Sequence, residues 1–374
     1  MNPLFPLTQR RNTSNISALP GVIPSFGKSL AAPLLGLGIL FGCAISPAPA
    51  ATWVNVTSNL AGMPSECGNL CLLSVVPGKD IVIAGIAQKG LWQSTDDGEN
   101  WTPLGKGAGS DVITNRPLHI EYDPTNPAIF WESGIYNSFG VYQTTDAGMT
   151  FHHLGNARHN DYVSVDFSDP KRQTLLAGGH EQKQTLYKSV DGGKTWTNIG
   201  LNLPKGTKFS TEPLILDAST YLVNSSGYGG GLTGVYRTTD GGTTWQSVSN
   251  LQADGQPLVA SDGAIYWELI WNQGLIRSTD QGKTWTRLLG YGVIQGTKII
   301  ELPDHKLCAV GPKCIKVSSN KGATWTQLGP PTPNQPAGVV YSPVKQAFYV
   351  SHWDCGSKVL ADAIMRLDYP VTGN

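Results

Sequence analysis

Ser94-Thr95-Asp96-Asp97-Gly98-Glu99-Asn100-Trp101 decides the fold, because the chain repeats it. The pattern Ser/Thr-x-Asp-x-Gly-x-x-Trp/Phe returns at 144–151, 189–196, 238–245, 278–285 and 318–325. Successive copies start 50, 45, 49, 40 and 40 residues apart. Each reads as a hairpin turn. A short Asp side chain accepts hydrogen bonds from backbone N–H groups a few residues on. Gly takes the positive φ where the chain reverses. The Ser/Thr hydroxyl closes the loop, and the aromatic opens the next strand and packs its ring under the hairpin. The sixth copy carries Asn320 in place of Asp. Asn keeps the acceptor oxygen, so that turn should survive. Six aspartates serving identical turns read as structural, not catalytic.

Working outward, each box sits in a recurring frame: a strand, a turn, a second strand, a loop, a third strand, the box, a fourth strand. The second unit shows it, with strands over 118–122, 128–132 and 140–144 and the turn Asp123-Pro124-Thr125-Asn126-Pro127. Four-stranded units of about 40–50 residues set in a ring make a β-propeller. After Trp325, the stretches 339–342, 347–352 and 363–369 supply three strands without a box. Thr52-Trp53-Val54-Asn55-Val56 resembles the fourth strand that follows a box. Pairing the two ends makes a seventh blade and leaves no open sheet edge. The expected fold is therefore all-β: a seven-bladed propeller, with boxes between strands three and four of six blades and the N-terminal strand closing the ring.

Composition agrees. The 374 residues include 44 Gly and 25 Pro, together about 18%, against an average of roughly 12%. Eleven Trp and 13 Tyr argue against disorder. Lys+Arg and Asp+Glu balance at 27 each, with no basic stripe, so nucleic acid is not an expected partner. At the N-terminus, Lys28 precedes an apolar run over 30–45 and then Ala48-Pro49-Ala50, a small-x-small cleavage signal. Pro33 interrupts the run, which is shorter than the ~20 residues a span needs. Residues 1–50 are expected to be a signal peptide and 51–374 the propeller, secreted or periplasmic and monomeric. Leu40-Phe41-Gly42-Cys43 resembles a lipoprotein box, and lipid anchoring at Cys43 is the alternative. Export implies an oxidising compartment and disulfides. Cys308 and Cys314 flank Gly311-Pro312, which suggests a cross-strand bridge. Cys67 and Cys71 could pair locally, or one could reach Cys355. The spacings are too wide for a zinc cage, and no metal or other cofactor is expected.

The boxes match the Asp-box (BNR) repeat, and the chain resembles a single-propeller member of the sialidase-like superfamily over essentially all of 51–374. That superfamily holds sialidases, xyloglucan hydrolases, polysaccharide lyases, lectins, a photosystem II assembly propeller and sortilin-type receptors. The resemblance thus implies the fold more than the function. It also implies that a site lies on the face opposite the boxes, which is built from strand 2–3 loops and blade-to-blade connections.

The polar residues on those loops are unevenly spread. Arg116, His119, Glu132 and Tyr136 fall on blade 2, and Arg158, His159, Asp161, His180 and Glu181 on blade 3. A sialidase needs three converging arginines. Only Arg116 and Arg158 are placed to help, so that activity is not expected. Two arginines can hold a uronate carboxylate, Arg matching it bidentately. His159 or His180 could take the adjacent proton while Tyr136 protonates the leaving oxygen, which is acid–base β-elimination. Alternatively, Glu132 with Asp161 or Glu181 forms a carboxylate pair for glycoside hydrolysis. Trp271 and Trp353 offer flat faces for sugar rings. The expectation is a carbohydrate-active protein with His159, His180, Glu132 and Tyr136 catalytic. Arg116, His119, Arg158, Asp161, Glu181, Trp271 and Trp353 would bind substrate. The alternatives are a lectin or an assembly propeller.

Overall fold

The computed structural model describes residues 51–66, 70–207, 211–226, 231–289, 298–352, 356–360 and 363–371. It holds seven four-stranded antiparallel sheets. Blade 1 runs Leu70–Val75, Val82–Ile86, Gly90–Ser94, Thr102–Pro103. Blade 2 runs Arg116–Tyr122, Phe130–Ile135, Val141–Thr144, His152–His153, and blade 3 runs Asn160–Val165, Leu175–Gly179, Leu186–Ser189, Thr197–Asn198. Blades 4, 5 and 6 begin at Thr211, Leu258 and Ile300. The innermost strands of blades 7, 1, 2, 3 and 4 touch in succession around the ring axis. Second strands such as Val82–Ile86 and Phe130–Ile135 are buried along their whole length, because blades pack face to face and leave the middle of each sheet no solvent side.

The ring closes as expected. Blade 7 comprises Gly338–Ser342, Ala347–Ser351, Ile364–Asp368 and the N-terminal strand Val54–Asn55. Val54 pairs with Arg366 and Asn55 with Met365. Buried Thr57 locks the joint, its hydroxyl oxygen accepting the amides of Ala363 at 2.9 Å and Ile364 at 3.0 Å. Trp101 of the first box donates its indole N–H to Val56 O at 2.9 Å, tying blade 1 to this strand.

All six boxes form the turn read from the sequence. The Gly amide donates to the Ser/Thr hydroxyl at 2.8–3.1 Å in every copy. The amide at the seventh position donates to the Asp or Asn Oδ1 at 2.8–2.9 Å. In the third box the Thr195 hydroxyl and amide, with the Ser189 hydroxyl, hold the Asp191 carboxyl at about 2. In the sixth box the outer bond reverses: Asn320 Nδ2 donates to Thr324 Oγ1 at 2.8 Å. Amide chemistry thus rescues the missing acid.

The proposed bridge between Cys308 and Cys314 does not form; both thiols are buried and free. Hairpin register is the reason. Cys314 lies opposite Gly311, and Cys308 lies opposite Val317, so the two are staggered along the ladder. Cys43, Cys67 and Cys355 lie outside the described residues. Among the described residues, no helix is long and apolar enough to cross a membrane.

Candidate functional site

One irregularity marks blades 1 to 3. Each innermost strand carries an extra residue against its neighbour, after Leu70, Pro117 and Asn160 respectively. Such bulges bend a strand and re-aim its side chains. In blade 3 the bulge spans Asp161 and Tyr162. Above it, Tyr136, Asn137, His159 and Glu181 all hold left-handed φ, between 51° and 60°. Non-glycine residues pay about 1 kcal/mol or more for that conformation and concentrate where a side chain must be aimed.

What they aim is a hydrogen-bonded chain. Asp161 Oδ1 lies 2.6 Å from His180 Nδ1, and His180 Nε2 lies 3.1 Å from the Tyr136 hydroxyl. Asp161 is buried, while His180 and Tyr136 are half-buried. Burial disfavours a charge on His180, but the bond and charge of Asp161, helped by Glu181, outweigh it and raise its pKa. Burial and the charge of Glu181 raise the Tyr136 pKa, against the pull of Arg116. The Arg116 guanidinium sits 5.2 Å from the centre of the Tyr136 ring and 3.5 Å from Glu66 Oε2. Glu66 also accepts the Asn137 amide at 3.3 Å.

His159 plays a different part from His180. The backbone N–H of Tyr136 donates to its Nδ1 at 3.0 Å. A backbone amide can only donate, so Nδ1 must be bare and the proton must sit on Nε2. Burial and the neighbouring His180 also lower its pKa. His159 is therefore a neutral donor, not a base. The two imidazoles meet edge to face at 4.8 Å. His159, His180 and Glu181 lie close enough to hold a cation. The Tyr136 amide opposes that use, since a ligating Nε2 would need the proton on Nδ1.

The structure thus joins Tyr136, His159, His180, Asp161, Glu181 and Arg116. It separates others. Glu132 is wholly buried, because its strand runs on to Ile135 and puts it three residues inside the sheet. It accepts the Asn115 amide at 3.2 Å, and desolvation pushes its pKa up to about 8. With no exposed surface it cannot touch a sugar. His119 faces the central shaft, where it meets Glu121 at 2.7 Å. Arg158 is exposed and lies over Phe139, 4.2 Å from the ring centre, and Phe139 stacks on His153. Trp271 is 61% exposed on blade 5 with φ of 61°, apart from the cluster. Trp353 lies outside the described residues.

Two carboxylates outside the expected set, Glu212 and Asp254, lie within electrostatic reach of Asp161. Burial, with the charges of Asp254 and Asp161, raises the Glu212 pKa. Burial and Asp161 push Asp254 up to about 6. Asp254 lies in a connecting segment whose sequence gives no cue that three carboxylates meet.

The comparisons fit the architecture. The model for the BNR/Asp-box repeat matches residues 276–287, the fifth box. The chain is a seven-bladed β-propeller whose box turns resemble this repeat. A probable oligoxyloglucan-reducing end-specific xyloglucanase of Neosartorya fischeri is 26% identical over 243 residues. That match covers 54% of this chain and 28% of the relative, so the chain spans well under half of the relative's length. The xyloglucanase of Xanthomonas campestris superposes with a TM-score of 0.57 at 16% identity, covering 84% of this chain and 53% of that one. YCF48 bound to a D1 peptide superposes with a TM-score of 0.55 at 13% identity, covering 87% of this chain and 98% of that one. At such identities the superpositions speak for the fold.

Proposed function

We propose that this propeller is an exported carbohydrate-active enzyme that cleaves an acidic polysaccharide by β-elimination at blades 2 and 3, residues 1–50 serving as its export signal. The observation that carries the reading is the Asp161–His180–Tyr136 chain, flanked by a neutral donor and an arginine. Elimination requires removal of the proton next to a uronate carboxylate. The Tyr136 phenol passes its proton to His180 Nε2 as its oxygen takes the carbon-bound proton. Asp161 holds the resulting imidazolium. His159 Nε2–H and Arg116 stabilise the negative charge spreading onto the carboxylate, as preorganised donors do. Tyr136 then returns a proton to the leaving oxygen as the carbon–oxygen bond breaks, and His180 restores the phenol. The products are a new reducing-end chain and an unsaturated uronate.

A second reading is glycoside hydrolysis, in keeping with the xyloglucanase relatives. Asp254, with its pKa pushed up to about 6, suits a general acid. A panel of neutral and uronate-bearing polysaccharides separates the two, since both release reducing ends but only elimination gives the ultraviolet absorbance of an unsaturated uronate. The proposed route also fixes the pH profile. Because the folded structure raises the His180 pKa, activity should climb with pH through a midpoint above the unperturbed value of roughly 6.5. Cleavage of neutral xyloglucan without unsaturated product would overturn elimination in favour of hydrolysis.

A further inference from the structure

Away from that site, the ring encloses a central shaft of about 570 Å³. That lies within the roughly 300–1,000 Å³ typical of small-molecule sites. Its rim includes Pro77, Ser261, His305 and Pro343 from the strand 1–2 turns. These turns lie on the same face as the boxes, while Cys71, Ala337 and Ser351 line the other end, so the shaft runs through the ring and reaches the box face. A smaller cavity of about 250 Å³ adjoins it and shares Ile120, Tyr122, Gln256 and Lys298. The walls are mainly aliphatic, with Tyr122 and Tyr162 as flat faces.

The few charges inside are unequally matched. Glu121 Oε2 is held by His119 Nε2 at 2.7 Å and by the Gln256 amide at 3.2 Å. Glu301 is held by the Ser261 amide and hydroxyl, both at 2.7 Å, and by His305 at 3.1 Å. Lys298 makes no hydrogen bond or ion pair with any described residue; it feels Glu121 only as a more distant charge. Surrounding protein disfavours its ammonium and lowers its pKa. Both carboxylates have donors, and the cation has no direct acceptor among the described residues. Lys298 is exposed to solvent, and as the only Lys or Arg among the described residues lining this apolar-walled shaft it offers a seat for an entering anion.

We propose that the shaft is a second ligand site, entered from the box face, that takes a small organic carboxylate on the Lys298 ammonium with its apolar or ring portion against Tyr122 and Tyr162. The ligand carries one anionic group, because Glu121 and Glu301 repel a second. The site is independent of elimination chemistry at Tyr136.

Isothermal titration of the full chain at fixed ionic strength tests this, using sodium galacturonate, acetate, phosphate and sulfate as separate titrants. Acetate, which lacks the sugar that the Tyr136 site takes, should bind in a 1:1 ratio. Lys298→Gln should weaken it by at least about tenfold, the worth of a charge-assisted hydrogen bond. Lys298→Arg should retain binding, and Tyr136→Phe should bind as the parent does. Circular dichroism on each variant separates loss of the site from loss of the fold. If Lys298→Gln does not fold, competition decides: acetate must displace galacturonate from the parent and from Tyr136→Phe alike. Preference for phosphate or sulfate, no binding by any carboxylate, equal binding by a folded Lys298→Gln, or binding abolished by Tyr136→Phe would each overturn the proposal.

Discussion

On the box face the same bonds recur six times, the Gly-to-hydroxyl contact varying only from 2.8 to 3.1 Å. On the opposite face, at blades 2 and 3, the arrangement is unique to its place. Two histidines meeting edge to face, a tyrosine and a buried aspartate are gathered by bulged strands and left-handed backbone. Repetition on the first face reflects a shared structural need, since each blade must turn its chain and satisfy the turn's amides. The second face departs from the repeat in the side chains it gathers; left-handed non-glycine backbone is common to both faces, occurring also at Asp97, Ala147, Gln281 and Lys321 in the boxes. Conserving the ring and varying one arc of its loops is a general way to place chemistry on a rigid frame.

The contrast can be broken most severely at the ring closure, on which both faces depend. Deleting residues 52–57 removes the strand paired with Met365 and Arg366 and the Thr57 hydroxyl that takes two amides. Aggregation, or collapse of the thermal transition, is the expected result. An unchanged melting curve would show that the N-terminal strand is dispensable.

A smaller effect tests the box face alone. Ser189→Ala leaves the buried Gly193 amide without its acceptor, costing about 1–3 kcal/mol. Urea denaturation should show that loss while any turnover per folded molecule stays at the parental level.

The smallest effect sharpens the boundary between structure and site. Glu132 Oε1 and Asn115 Oδ1 are both buried without a donor, and a proton on Glu132 would let the acid donate back to the amide. Below about pH 4.5 the carboxyl is protonated in both folded and unfolded chains, so its full contribution is present there. As pH rises toward about 8, the unfolded chain releases a proton that the folded one keeps, so stability falls across that window. Glu132→Gln keeps the amide partner without titrating. Its stability should decline less than the parent's between those values; identical slopes would mean Glu132 does not carry the proton.

The sequence revealed what is local or repeated. Eight-residue boxes announce the blades, and the end strands reveal closure because only a fourth strand was missing. The cluster at Tyr136, His159 and His180 was legible because polar loop residues of adjacent blades share a face. Side-chain direction was not legible. The sequence pattern ends the strand at Glu132, but the strand continues to Ile135 and buries it. His119 turns into the shaft below a bulge that no residue signals. Phe139 diverts Arg158. The opposite roles of His159 and His180 depend on one backbone amide, which composition and spacing cannot show.

The central claim is that the non-repeating arc works and the repeating face supports it. Turnover per folded molecule of Tyr136→Phe and Ser189→Ala, side by side on the best polysaccharide, tests it most directly. Tyr136→Phe should lose about 10²-fold or more, the usual share of a placed acid or base, with an unchanged melting temperature. Ser189→Ala should lose stability and keep its turnover. Full turnover in a folded Tyr136→Phe, or loss of turnover in a folded Ser189→Ala, would contradict the account.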